Sequence, residues 1–153
     1  MKKFTENEIT NTPVLTPTAK EWATDNIDYL NKPMQLFGSS VKVEKGSSKY
    51  STQILYLQPA NKVSTETLCI GAKSAGCLDG CLISSGLLGK TTGQNAATKR
   101  TILFLMRREW FDAQLLKEID AAERKAKRTG IPALFRLNGT SDIDFSDLIK
   151  QRP

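Results

Sequence analysis

The chain has 153 residues, of which 39% are hydrophobic and 25% are charged. These values are typical of a globular domain with one core, and they exclude wholesale disorder. A net charge of +6 permits an anionic partner such as nucleic acid but does not require one. The chain has no histidine, which excludes imidazole acid–base chemistry, Ser-His-Asp and Cys-His catalysis, and histidine-bound zinc.

Nothing in the chain predicts export or a membrane span. Two lysines near the start are followed by polar residues, where a secretory signal would be apolar. The longest apolar runs, such as residues 102–106, are too short to cross a bilayer. Cysteines in such a chain are expected to be reduced thiols, and we expect the protein in the cytoplasm.

The first part of the chain predicts an arm followed by a helix. Residues 1–20 are rich in Thr, Asn and Pro without a sustained hydrophobic period, so we expect a flexible, surface-lying arm. Residues 21–153 then form a single α/β domain. Thr18 is expected to cap its first helix, with Glu21 completing a capping box.

Two short strands are predicted next, arranged as a hairpin or a meander. Val41 and Val43 alternate with charged residues, and a turn follows at residues 46–51. The apolar run within 51–60, which Pro59 closes, predicts the second strand.

Helical periodicity then takes over before a third strand. Residues 96–107 and 110–128 predict two helices, and Gly130 is placed to end the second. Residues 132–139 predict a strand. A long helical crossover between two strands favours parallel pairing, so the predicted fold class is α/β with a right-handed βαβ unit.

The three cysteines lie within thirteen residues that follow the second predicted strand, CIGAKSAGCLDGC. Thiolates at Cys69, Cys77 and Cys81 suit an iron–sulfur cluster, zinc or Cu(I). Structural zinc takes four ligands, for which Asp79 is a candidate fourth. A four-iron cluster held by three cysteines instead leaves one iron open. The alternative is three small, half-buried thiols without a metal.

A polar segment, NGTSD at residues 138–142, follows the third predicted strand. Ligands of parallel α/β sheets gather beyond the carboxyl ends of the strands, so this segment and the cysteines are expected on one rim. The alternative is an ordinary Asn-Gly turn, after which Ser141 or Asp144 caps a short helix. Arg136 lies within the strand and, if buried, needs a partner such as Asp142 or an anionic ligand.

Three stretches together, LCIGAKSAGCLDGC, KRTILFLMRREWF and ALFRLNGTSDIDF, resemble the phage gene product 88 family over roughly residues 50–150. The cysteine loop and strand order also resemble the N-terminal half of a radical S-adenosylmethionine barrel, a partial TIM barrel. In those enzymes three cysteines hold a [4Fe-4S] cluster, and a glycine-rich stretch approaches the amino group of S-adenosylmethionine. The resemblance implies a set of cluster ligands and a set of cofactor-binding residues. The ligands are Cys69, Cys77 and Cys81, and the cofactor-binding residues are Asn138, Gly139, Thr140, Ser141 and Asp142. Arg136 joins the cofactor-binding residues because of its place in the strand, not because of the resemblance.

The chain departs from the enzyme pattern in three places. The cysteine spacing is C-x7-C-x3-C rather than C-x3-C-x2-C, and Gly80 replaces the usual aromatic residue before the last cysteine. Asn-Gly-Thr stands in place of Gly-Gly-Glu. A full barrel also needs more strands than the sequence predicts, so a truncated or minimal barrel is expected.

Two function classes follow, besides an inactive fragment. The first is a phage-type iron–sulfur protein. If it is an enzyme, it is expected to be a radical S-adenosylmethionine-like enzyme of unknown substrate. The second is a non-catalytic module, stabilised by zinc or a cluster, that binds nucleic acid or a partner protein. Its binding surface would be the basic clusters at 99–100, 107–108 and 124–128, unless these simply form solvated helix surface. Residues 89–93 lack the first glycine of a phosphate-binding loop, and we discount them.

Overall fold

The structure, a computed structural model, describes residues 1–38, 49–77, 81, 83, 86 and 89–150. The described residues form six helices and three strands. In chain order they are α1 (Glu6–Asn11), α2 (Pro17–Asp25), α3 (Ile27–Asn31), β1 (Phe37–Gly38), β2 (Ser51–Leu55), α4 (Thr91–Met106), α5 (Arg108–Thr129), β3 (Ala133–Arg136) and α6 (Ser146–Lys150).

The strands form one mixed sheet in the order β1-β2-β3. β1 runs antiparallel to β2, whereas β2 and β3 are parallel, with Ser51 opposite Ala133 and Ile54 opposite Arg136. Because α4 and α5 lie between β2 and β3 in the chain, the predicted α/β class and parallel pairing are confirmed. Three strands do not distinguish part of a barrel from another small α/β sheet. The strand predicted at Val41 and Val43 lies outside the described residues.

The core forms where α4 and α5 meet the sheet. Leu55 of β2, Leu103 of α4 and Leu115 of α5 are all fully buried. Phe104 packs edge-on against Phe111, with ring centroids 5.4 Å apart. The stripe predicted along the second long helix therefore faces the core, as its 3.6-residue period requires.

The ends of the long helices show why the predicted boundaries were nearly right. α5 ends where Gly130 adopts a φ of 70°, the left-handed conformation that favours glycine.

At the start of α6, Asp144 accepts a hydrogen bond from the Ser146 amide at 2.8 Å. The hydrogen bonds from Ser146 hold the pKa of Asp144 below its ordinary value. Of the two residues proposed to start this helix, Asp144 therefore takes the role.

The first twenty residues pack onto the core, which corrects the prediction of a flexible arm. Thr5 and Glu8 form a capping box at the start of α1: each side chain accepts a hydrogen bond from the other residue's amide, at 3.2 Å. Phe4, Ile9 and Leu15 are 3%, 0% and 2% exposed. Their spacing fits no single helix or strand, because Ile9 lies in α1, whereas Phe4 precedes that helix and Leu15 lies between α1 and α2. A periodicity test therefore misses them.

The next helix also begins earlier than predicted. Thr16 is the N-cap of α2, its hydroxyl accepting from the Ala19 amide at 3.3 Å, and Pro17 occupies the first turn. The predicted capping box of Thr18 and Glu21 is therefore wrong. Proline at the first helical position, with its fixed φ, was the stronger signal.

Two of the three basic clusters are engaged within the fold. Lys99 is 1% exposed, and its Nζ donates to the carbonyls of Tyr29 and Lys32, the latter at 2.7 Å. Burial lowers the pKa of Lys99, and the charge of Lys32 lowers it further. Arg107 bonds the Glu8 carboxylate at 3.1 Å, and Arg108 bonds Asp112 at 2.8 Å. The basic residues of the third cluster, within 124–128, are exposed.

None of the described helices combines the length and apolar character needed to cross a membrane.

Candidate functional site

The segment that follows β3 joins the cysteine loop (residues 69–81) through the backbone. Cys69 and Asp142 form a parallel β-bridge, and the Asp142 amide donates to the Leu68 carbonyl at 2.9 Å. The Gly139 amide donates to the carbonyl of Leu55, the last residue of β2, at 3.0 Å. The chain beyond β3 thus runs between the end of β2 and the start of the cysteine loop, as parallel strands that end on one rim require.

A cavity of about 660 Å³ opens at this junction. Its walls are residues 59–62, which follow β2, the segment 139–142, and the cysteine loop, and all three cysteines line it. The structure therefore brings together the two regions that the sequence placed on one rim. Residues 59–62 were not among the predicted site residues, although the same rule about strand ends points to them.

The three thiols differ in their surroundings. Cys69 and Cys81 are half-buried, and Cys77 is exposed. The Cys69 sulfur accepts from the Ala60 amide at 3.4 Å and contacts the Thr140 carbonyl oxygen at 3.7 Å, so it touches two of the three walls. Among the described residues, no three cysteine or carboxylate side chains are grouped closely enough to hold a metal ion. Asp79, the candidate fourth zinc ligand, lies outside them.

Between Cys69 and Cys77 the loop coils back on itself. The Ala75 amide donates to the Gly71 carbonyl at 3.0 Å, and the Cys77 amide donates to the Ala72 carbonyl at 3.2 Å. Gly76 has a φ of 65°, which reverses the chain just before Cys77. This coil returns Cys77 to the cavity despite the seven residues that separate it from Cys69.

Gly139 is buried, and its surroundings leave no room for a side chain. A Cβ atom there would lie 2.7 Å from the Tyr56 ring and 2.8 Å from the Leu55 carbonyl oxygen. The next residue is fixed to the same strand end, since the Thr140 hydroxyl donates to the Leu57 carbonyl. Gly139 and Thr140 therefore present a close-fitting backbone to the cavity.

Asn138 and Arg136 do not line this cavity. The Asn138 side chain bonds both backbone groups of Ile143, at 2.7 and 3.0 Å, and thereby closes the turn. Arg136 is exposed, and its Nε donates to the Asn138 carbonyl at 3.2 Å. The expectation of a buried arginine is wrong, because Arg136 projects from the side of β3 that the described residues leave uncovered, as does Leu134, which is 46% exposed.

The donor types suit a metal or cluster held by three cysteines, although among the described residues the side chains are not grouped as a metal-binding set. Soft thiolates are the ligands that iron–sulfur clusters take, and all three face one cavity. Its volume lies within the roughly 300–1,000 Å³ that is common for small-molecule sites, so the cavity has room for a cluster and an organic ligand. Lys62 and Asp142, from two different lining segments, provide one charge of each sign.

The family match covers the same elements. A model of the family described as gene product 88 matches residues 30–151, which include the sheet, the cysteine loop and the segment 139–142. The chain belongs to the gene product 88 family. The resemblance seen in the sequence is thereby confirmed for this family, while the comparisons give no support to the resemblance to radical S-adenosylmethionine enzymes. No curated protein and no solved structure matches the chain.

Proposed function

We propose that this member of the gene product 88 family binds a [4Fe-4S] cluster through Cys69, Cys77 and Cys81. One observation carries the proposal: three cysteines from a coiled loop and the segment that follows β3 line a single cavity. If the cysteines served only for packing, there would be no reason for all three to line the same cavity as the segment 139–142, where cofactor-binding residues are expected. The proposal needs reduced thiols, which the host-cell cytoplasm provides.

The protein's own groups have distinct roles in this proposal. The three thiolates hold the cluster, and Gly139 and Thr140 let a ligand approach the backbone closely. Asp142 would bind an ammonium group and Lys62 a carboxylate, which together suit the amino-acid end of S-adenosylmethionine. A cluster with three protein ligands, when bound, supplies an open iron and the electron for radical chemistry on that cofactor.

The alternative is a non-catalytic module in which zinc or a cluster staples the loop to the sheet. The exposed basic residues 124–128 at the end of α5 favour an anionic partner for such a module. Nucleic acid and an acidic protein surface share this chemistry.

Anaerobic purification followed by iron, sulfide and zinc analysis tests the proposal. We expect about four iron and four sulfide per chain, with the broad thiolate-to-iron absorbance of such clusters. Cys77→Ala should lose them. Ala75→Ser provides the matched control, because Ala75 lines the same cavity without a thiol and this variant should keep the cluster.

The other results separate the alternatives. Stoichiometric zinc, lost in Cys77→Ala, would identify the stapled module instead. Neither metal in the wild type, with Cys77→Ala equally stable, would contradict both forms of the proposal. If iron is present, binding of S-adenosylmethionine that weakens in Asp142→Asn would support the enzyme form.

A further inference from the structure

Exposed apolar side chains gather where the two parallel strands begin. Five large hydrophobic side chains are exposed among the described residues, and three of them come from this region. They are Tyr50 (49% exposed), just before β2, Ile131 (38%), just before β3, and Leu134 (46%), within β3. Single exposed apolar side chains are ordinary, but a group of them at one place indicates a binding surface.

Leu134 and Arg136 project from the outer face of the sheet. Successive side chains of a strand point to opposite faces. Phe135 faces the core, where its ring centroid lies 5.7 Å from that of Phe37, so its two neighbours face outward, and both are exposed. The Arg136 Nε donates to the Asn138 carbonyl, whereas its two terminal nitrogens bond none of the described residues.

Tyr50 belongs to the same outer face. Leu134 lies opposite Thr52 of β2, and paired residues of adjacent strands point to the same face. Tyr50 precedes Thr52 by two residues, and between them the Ser51 amide donates to the Pro132 carbonyl at 2.9 Å, so the strands still run side by side here. The alternation therefore places the half-exposed Tyr50 ring on the same face as Leu134.

The border of this apolar group is cationic. Residues 124–141 contain five cationic side chains and no carboxylate. All five are exposed, and in the part of the chain that the structure describes none of them forms an ion pair. Four lie at the end of α5, and residues 130–132 alone separate that end from β3. The five are Arg124, Lys125, Lys127, Arg128 and Arg136.

The charges and the aromatic ring together decide which partner fits. A second copy of the chain would bring the same cations face to face, which is unfavourable. An acidic protein surface would pair with the cations but gives no role to an exposed aromatic ring. Single-stranded nucleic acid uses both features, because its phosphates pair with cations and its unpaired bases stack on aromatic side chains.

We propose that this outer surface, formed by Tyr50, Leu134, Arg136 and the basic end of α5, binds single-stranded nucleic acid. A base stacks on Tyr50 and contacts Leu134, while Arg136 and the basic end of α5 bind the phosphates. The surface is separate from the cysteine cavity, which lies beyond the opposite end of β2. The proposal therefore does not depend on the cluster, and it selects nucleic acid from the two anionic partners of the non-catalytic module.

The test is fluorescence anisotropy of the full chain with labelled oligo(dT) and oligo(U) of about twenty nucleotides. Tyr50→Ala should weaken binding of the preferred strand at least about fivefold, whereas Tyr50→Phe, which retains a ring, should stay within about threefold. Arg136→Gln should weaken binding and reduce its salt dependence by roughly one phosphate contact. Tyr50 and Arg136 are exposed, so these variants should keep the urea midpoint of the wild type.

The matched control for charge is Lys73→Gln. Lys73 is exposed on the cysteine loop, at the other end of β2, so its loss should change the affinity by less than about twofold. Cys77→Ala should leave binding unchanged, which separates this proposal from the cluster.

Competing anions give the results that would overturn the proposal. A duplex of the same length should bind at least about fivefold more weakly than the single strand, because its bases are already stacked on one another. Polyglutamate that binds as tightly as the single strand would identify an acidic protein partner instead. Equal affinity of wild type and Tyr50→Ala, or no binding of either strand at low salt, would equally contradict the proposal.

Discussion

Gly139 is the residue on which the close fit of the cavity depends. Its amide bonds the end of β2, and any Cβ would meet both the Leu55 carbonyl and the Tyr56 ring. The Asn-Gly pair predicted a turn from its sequence alone. The actual reason for glycine is a strand far away in the chain, which no local pattern can reveal.

We expect Gly139→Ala to lower the free energy of unfolding by about 1–3 kcal/mol, because a methyl group would force the segment 139–142 away from β2. Urea denaturation measures this. Gly71→Ala is the matched control, since nothing lies within 4 Å of its added Cβ. Equal stability of the two variants would contradict the role given to Gly139.

Glu8 makes the N-terminal helix sensitive to acid. Its carboxylate accepts from the Thr5 amide and bonds Arg107, and these interactions hold its pKa below the ordinary value of 4.5. The unfolded chain therefore takes up this proton at a higher pH than the folded chain does. The stability that Glu8 contributes is present above about pH 4.5 and is lost as the pH falls through the lowered pKa.

The corresponding experiment compares the urea midpoint of wild type and Glu8→Gln between about pH 6 and pH 3. The variant should be less stable at pH 6, and the difference should shrink toward pH 3. Glu6→Gln changes a residue in the same turn that has no ion pair to Arg107, so its urea midpoint should change with pH as that of the wild type does. A constant difference across the range would show that Glu8 acts through packing rather than charge.

Among the elements, α3 is held by a side chain from another helix. From a buried position, Lys99 of α4 reaches the carbonyl of Tyr29, in the last turn of α3, and that of Lys32, the residue that caps its end. The Lys99 ammonium also lies 4.5 Å from the Tyr29 ring centroid. The sequence showed Lys99 only as one of a basic pair, for which solvated surface was the simple interpretation.

We expect Lys99→Met to lower the free energy of unfolding by about 2–4 kcal/mol, because the carbonyls of Tyr29 and Lys32 lose a charged donor. Thermal and urea denaturation give the value. Lys117→Met, on the exposed face of α5, should change stability by less than about 0.5 kcal/mol. A loss no larger than that of the control would mean that water replaces the lysine.

The position and the end of α5 could be predicted well from the sequence. The stripe of Phe111, Leu115 and Ile119 repeats at helical spacing, so α5 was visible, and Gly130 marked its end. Phe4 and Leu15 follow no such repeat, since Phe4 precedes α1 and Leu15 lies between α1 and α2. Their burial depends on tertiary contacts that a window of sequence does not contain.

At the scale of the whole molecule, one topological rule predicted most of the candidate site. Parallel strands end on one rim, so Cys69 and Thr140 were expected to be neighbours, and their contact at 3.7 Å agrees. The rule says nothing about side-chain direction within β3. Arg136 was therefore misplaced, and Lys62 was overlooked although it follows β2 on that rim.

The long crossover also determines the order in which the cavity is assembled during synthesis. The cysteine loop leaves the ribosome before α4 and α5, and the segment 139–142 comes after both, so the last wall cannot dock until the crossover has been synthesised. For that interval the thiols stand open on a nascent chain. If the proposed cluster is inserted at this stage, an iron–sulfur carrier would have access to the thiols before the segment 139–142 docks beside them.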